Sequence, residues 1–334
     1  MTDAYQVAVI PGDGVGPEVI AAAVAVLKAG RVPVDFTHFE AGDDCQRRHG
    51  VALPDETREG ALAADAVLFG TAGETAAEVV IGLRRALATH VNLRPVRSFA
   101  GVEGLYPDVD LVIVRENSEG LYGGIEAEIA PGVATATRVI TERASTAIAR
   151  FAFDYARGNG YGKVTAIHKA NVLRTTDGLF LRCVRDVAEK FSDVFYSETI
   201  VDAAALYLVT EPQRFEVIVT TNLFGDILSD LAAGLVGGLG LCPSANLGDE
   251  HALFEPVHGT APDIAGQGIA NPTAAILCGA MLARHLGCQE TGERIERALE
   301  ATLASGETTP DLGGSRSTME MTEAVISHVK EDAP

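Results

Sequence analysis

Five short apolar runs rich in β-branched residues recur along this chain: "QVAVI" (6–10), "AVLFG" (66–70), "DLVIVRE" (110–116), "KVTAIHK" (163–169) and "EVIVTTN" (216–222). Helical stretches lie between most of them, among them "EVIAAAVAVLKAG", "STAIARFAFDYARG" and "LFLRCVRDVAEKF". Strands that alternate with helices imply an α/β fold with a largely parallel sheet. The first unit is the clearest. Its strand runs into "GDGVGP", Pro17 suits a first helical turn, and Gly30 suits a helix end.

With 334 residues, 47% of them hydrophobic, the chain can bury a large core and is long enough for about two domains. No Ser/Pro-rich linker separates them, so interwoven domains are expected. The net charge of −20 argues against nucleic-acid or membrane partners and favours solubility. No run of about 18 uninterrupted apolar residues suggests a membrane span. The start "MTDAYQVAVIPGDG" has no basic or long apolar leader, and the five cysteines lack C-x-x-C spacing. Buried reduced thiols and a cytoplasmic location are therefore expected. The tail "KEDAP" is expected to fray.

The glycines of "GDGVGP" are spaced G-x-G-x-G, so the dinucleotide fingerprint G-x-G-x-x-G fails and a tight strand-to-helix turn is the plain alternative. In "TTNLFGDILSDLAAGLVGGLGL" (220–241), Asp226 and Asp230 stand four apart in a stretch otherwise built for burial. On a helix they share one face and repel unless a cation lies between them. Carboxylate oxygens suit Mg²⁺ or Mn²⁺. The plain alternative is a helix cap at Asp226 and a basic partner for Asp230. Arg84, Arg94 and Arg115 are candidates for bidentate carboxylate binding, Arg115 at a strand end where α/β ligands usually sit. Lys169, leaving a strand, and Tyr122, in a loop, are candidate proton-transfer groups. The Gly/Pro-rich segment "LFEPVHGTAPDIAGQGIANPTAAIL" (253–277) carries Glu255, His258, Gly259, Asp263 and Asn271. A loop of that kind can wrap a nucleotide, with backbone N–H groups for phosphate and a carboxylate for ribose.

Taken together, "PGDGVGPEV", "NLRP", "VIVREN", "EGLY", "HKANV", the 220–241 run and "FEPVHGTAPDIAG" with "IANP" resemble the NAD(P)-dependent β-decarboxylating dehydrogenases of 3-substituted malates. The resemblance spans about residues 5–325 in order and spacing. It implies two open α/β domains with an active-site cleft between them, isopropylmalate dehydrogenase-like rather than Rossmann. Residues 1–95 plus 245–334 would form the first domain and 96–244 the second. An arm at about 125–145 would clasp a partner in an obligate homodimer with shared active sites. Whether dimers pair into tetramers stays open.

By the same resemblance, Arg84, Arg94 and Arg115 would grip the malate carboxylates. Asp226 and Asp230, with Asp202 from the partner, would hold Mg²⁺ or Mn²⁺. Lys169 from the partner would take the hydroxyl proton as hydride leaves for the nicotinamide, and Tyr122 would protonate the enolate left by CO₂ loss. Glu255, His258, Gly259 and Asn271 would belong to the cofactor site. Asp263 would accept from the adenosine ribose and repel a 2′-phosphate, which implies NAD.

Substrate choice in such enzymes depends on the helix before Arg84. Val80, Ile81 and Arg84 share a face there. An apolar pair fits an alkyl group and disfavours a third, unpaired carboxylate by roughly 1–3 kcal/mol or more. The resemblance therefore leads to 3-isopropylmalate and leucine biosynthesis, with homoisocitrate, isocitrate and arylmalates as alternatives. "GTAGETAAEV" is shorter than the usual segment, and Leu206 and Tyr207 replace a common Met and polar residue. A regulatory, non-catalytic paralogue would have lost some of these side chains, and a hydrolytic metalloenzyme would not need the 253–277 loop.

Overall fold

The computed structural model describes residues 4–332. In chain order the strands are β1 (Tyr5–Gly12), β2 (Val34–His38), β3 (Ala66–Thr71), β4 (Val91–Arg97), β5 (Asp110–Glu116), β6 (Glu126–Ala130), β7 (Val133–Ala136), β8 (Lys163–His168), β9 (Phe195–Ile200), β10 (Val217–Thr220), β11 (Pro243–Leu247) and β12 (Ala252–Pro256). All five sequence-read strands are present. The run at 216–222 stops at Thr220, and Asn222 already begins the helix Asn222–Val236.

The chain divides into two compact units: Met1–Ala88, Ser98–Pro107 and Val236–Pro334 form one, Thr89–Arg97 and Asp108–Leu235 the other. The expected breaks after 95 and 244 therefore move. β4 goes wholly to the second unit because it pairs along its length with β5, from Val91 opposite Glu116 to Arg97 opposite Asp110. Residues 98–107 belong to the first unit, where Ser98 Oγ donates to the Tyr106 carbonyl at 2.7 Å.

In the first unit the strand order is β2-β1-β3-β12-β11, parallel except for β11. β3 is buried along its whole length, as expected of a strand covered on both faces. The helix Gly16–Ala29 starts with Pro17 in its first turn and is capped at Gly30. The loop before it is a tight turn in which Gly12 and Gly14 have φ of +70° and +58°. A Cβ on Gly14 would lie 2.1 Å from the Thr260 carbonyl oxygen. That close approach lets Val15 N–H donate to Thr260 at 3.0 Å, which docks the 257–271 loop on the turn.

In the second unit the order is β4-β5-β10-β8-β9, parallel except for β4. The hairpin β6–β7 is exposed throughout, and the expected arm ends sooner than 145 because the helix Glu142–Gly158 has begun, capped by the Thr141 hydroxyl. At the C-terminus Lys330 and Glu331 are helical, in Thr318–Glu331. Ala333 and Pro334, the end of the segment expected to fray, lie outside the described residues. Among the described residues no helix is long and apolar enough to cross a membrane.

Candidate active site

The second unit gathers five of the expected residues around the C-terminal ends of β5 and β10, with Arg94 reaching them from the middle of β4. Arg115, near the end of β5, is 1% exposed. Its guanidinium donates twice to Asn222 Oδ1, at 3.1 and 2.7 Å, and once to Asp226. The Tyr122 hydroxyl donates to the other oxygen of Asp226, and the Arg115 guanidinium lies 4.9 Å from the centre of the Tyr122 ring. Arg94 on β4 donates to Asn92 and Ser229 at 2.7 Å each, and stands 3.3 Å from Asp226 and 3.4 Å from Asp230.

Asp226 and Asp230 do share one face of their helix. That face is less buried than the apolar sequence around it suggests. Asp226 is half-buried, while Asp230 and the intervening Ile227 are exposed. Partial burial still raises the Asp230 pKa; Arg94 opposes the shift and the like charge of Asp226 adds to it. Burial, and then the bond to Asp226, push the Tyr122 phenol up, which keeps it protonated. Arg94 and Arg115 already offset the charge of Asp226, and Arg94 is the basic partner that the plain alternative gave Asp230. The pair's all-oxygen donors are still of the kind a hard divalent cation takes.

Asp202 is not beside this pair. It sits in the first turn of the helix Val201–Thr210 and accepts from Lys169 Nζ, which holds its pKa below the ordinary carboxylate value. Among the described residues no three His, Cys, Asp or Glu side chains gather as a metal site. Tyr207, on the same helix, stacks its ring under the Arg214 guanidinium at 3.9 Å.

The first unit holds the rest. Arg84 lies on the helix Ala76–Ala86 and donates to Glu255 at 2.6 Å. Glu255 is on β12, buried, and also accepts from Asn246 at 2.7 Å. It is therefore a strand residue paired with Arg84, not a part of the open loop as the sequence suggested. Val79 and Leu83 form the helix's buried face; Val80 packs partly against the same core, and Ile81 is half-buried.

In the loop, Asp263 and Gly259 are exposed, and a Cβ on Gly259 would meet nothing within 4 Å. His258 is half-buried: Nδ1 lies 3.0 Å from the Gly259 carbonyl, and its buried Nε2 has no hydrogen-bond partner. Burial lowers its pKa. Asn271 is held by Asp311 at 3.0 Å and accepts from Thr273 N–H. A buried ring nitrogen without a partner, beside a glycine with open space, suits a polar ligand lying along the loop.

The model of the isocitrate/isopropylmalate dehydrogenase family matches residues 6–325. The chain belongs to that family. It is thus a dehydrogenase, an oxidoreductase acting on CH–OH groups. The 3-isopropylmalate/3-methylmalate dehydrogenase of Methanocaldococcus jannaschii is 57% identical, over 98% of this chain and 100% of that protein. The isocitrate/homoisocitrate dehydrogenase of Thermus thermophilus is 51% identical, over 98% and 99%. Among solved structures, isocitrate dehydrogenase from Methylococcus capsulatus superposes with a TM-score of 0.95 at 45% identity, covering 98% of this chain and 99% of that one. Dehydrogenases of this family depend in general on NAD and a divalent metal.

Several residues that organise this family member's site were not singled out from the sequence. Asn222 fell at the end of a strand-like run, and neither Ser229 nor Asn246 carried a motif of its own. Each meets an arginine or its carboxylate partner only through contacts more than 100 positions apart or across strands. The one local signal was the Thr-Thr-Asn triplet, which lies inside the strand-like run yet holds residue types that also start helices.

Proposed function

We propose that this chain oxidises and decarboxylates 3-isopropylmalate with NAD⁺, the oxidative step of leucine biosynthesis. The carrying observation is the full-length 57% identity to an archaeal enzyme whose name gives 3-isopropylmalate and 3-methylmalate as substrates. The apolar Val80–Ile81 pair supports an alkyl group over a third carboxylate.

In this reading Arg94 and Arg115 bind the malate carboxylates through planar, fixed guanidinium forks. Their burial and side-chain bonds pre-position those forks. Arg84 takes the same role in the first unit. Asp226 and Asp230 would hold Mg²⁺ or Mn²⁺ together with Asp202 of the partner subunit, Asp202 being turned to Lys169 in its own chain. Bound there, NAD⁺ would supply a hydride acceptor and a divalent cation would supply Lewis acidity. Lys169 Nζ takes the hydroxyl proton on a free amine lone pair, and its bond to Asp202 orients it. Tyr122, kept protonated by its surroundings, returns a proton to the carbon that has lost CO₂. His258, Gly259 and Asn271 line the dinucleotide site, and exposed Asp263 accepts from the ribose hydroxyls.

A cytoplasmic homodimer completes the reading. Ile125, Ile129 and Val133 are exposed on or beside the β6–β7 hairpin, and Leu206 and Val209 on the helix Val201–Thr210. A lone two-stranded hairpin is marginal in water, so a covering partner stabilises it. Sedimentation should give twice the chain mass; a monomer with full activity would refute shared sites.

The second reading, a tricarboxylate as substrate, is favoured by the 51% identity to the Thermus isocitrate/homoisocitrate enzyme. NADH formation with 3-isopropylmalate, homoisocitrate, isocitrate and D-malate, with Mg²⁺ and then EDTA, separates the two. We expect kcat/KM for isopropylmalate to lead by about tenfold or more and to vanish with EDTA. A tricarboxylate in the lead would refute the substrate assignment, and turnover in EDTA the metal.

A further inference from the structure

Asp177 is fully buried in the first turn of the helix Thr176–Ala188, and none of the roles above uses it. Its carboxylate accepts the Lys169 backbone N–H at 2.6 Å. Lys169's own carbonyl accepts from Leu173 N–H at 2.8 Å, and the Leu173 carbonyl accepts from Asp177 N–H at 3.0 Å. The three bonds close a ring that fixes both backbone polar groups of Lys169 where it leaves β8. A buried carboxylate needs a counter-charge. Arg138 supplies it, bonded to Asp177, to Thr176 at 3.3 Å and to Thr221 at 2.9 Å, with its guanidinium 5.3 Å from the Phe224 ring centre. Arg138 stands at the base of the β6–β7 hairpin, directly after Thr137, whose N–H donates to the Ile125 carbonyl at 2.8 Å and closes the hairpin.

We propose that Asp177 is a positioning residue for Lys169, and that Arg138 ties this anchor to the base of the hairpin. The proposal rests on Lys169 as the proton acceptor. The hairpin and the lysine are the two parts of the chain that the dimer reading assigns to a neighbour. One buried ion pair joins the two: the Asp177 carboxylate sets the Lys169 backbone, and Arg138 neutralises that carboxylate from the base of the hairpin. An error of about 1 Å in the placement of a reacting group costs about a hundredfold in rate.

The test compares purified dimers of Lys169→Ala, Asp177→Ala, Asp177→Asn with Arg138→Met, and Arg138→Lys. Asp177→Ala should lower kcat about a hundredfold while both KM values stay within about threefold. The double variant should recover to within about tenfold of wild type, because Asn Oδ1 still accepts the Lys169 N–H and no buried charge is stranded. Wild-type kcat in Asp177→Ala with only a lower melting temperature would make the residue structural and overturn the proposal. Should Asp177→Ala not fold, Arg138→Lys decides: a kcat loss at unchanged KM supports the anchor, and wild-type kcat overturns it. An active Lys169→Ala variant would instead sink the lysine reading, and the proposal with it.

Discussion

Gly225 lies in the helix Asn222–Val236 one residue before Asp226, and replacing it with alanine sets two effects against each other. Alanine in a helix interior is better than glycine by about 1 kcal/mol. Yet the new Cβ would lie 2.6 Å from Cγ and 2.7 Å from Cβ of Arg115. Carbon atoms pack at about 3.5–4.0 Å, so the stem of Arg115 must retreat by about 1 Å. It has little room to do so, being buried and bonded to Asn222 and Asp226. Overpacking of that kind costs about 1–3 kcal/mol, so the net change is a loss of about 0–2 kcal/mol. The effect on rate is larger, because the displaced guanidinium no longer meets its carboxylate: about a hundredfold in kcat/KM. Calorimetry with steady-state kinetics reads both quantities. A melting temperature above wild type with unchanged kcat/KM would refute the argument.

Other perturbations separate the roles assigned above. Asp226→Asn should abolish turnover with Mg²⁺; wild-type rates without added metal would sink the metal assignment. Tyr122→Phe should slow overall decarboxylation more than hydride transfer, read as NADH release against reduction of an added keto acid; equal losses would count against its acid role. Burial lowers the pKa of His168, His258 and His285 in the folded chain. The unfolded chain therefore binds more protons below about pH 6.5, and stability present above that pH is lost as pH falls. The melting temperature should drop from pH 7 to pH 5.5, less steeply in His285→Gln; an unchanged slope in that variant would contradict the assignment of His285.

The strand–helix alternation was legible because each β-branched run is a parallel strand buried in its sheet. The aspartate pair, the arginines and Tyr122 were legible as residue types in a recognisable order. What escaped was pairing across the fold. Arg84 and Glu255 are 171 positions apart, and they meet because β12 lies next to β3, an adjacency that local pattern does not encode. The same holds for Asn222, whose strand-like triplet turns into a helix start beneath Arg115. Exposure also misled: a run of Leu, Ile and Ala suggested burial around Asp230, but Ile227 and Asp230 face outward, toward what we propose is a neighbouring subunit.

The chain order of the two units bears on how a ribosome delivers them. The second unit is complete once Leu235 has emerged, whereas the first still lacks β11 and β12. Until residues 252–256 appear, the β3 edge that β12 will pair with is an open, largely apolar template for any passing strand. Nascent chains stalled between about residues 90 and 250 should thus be the aggregation-prone species, already carrying half a sheet but not the strand that covers it. A pause in synthesis between those residues should therefore lower the yield of folded protein, where a pause after residue 256 should not.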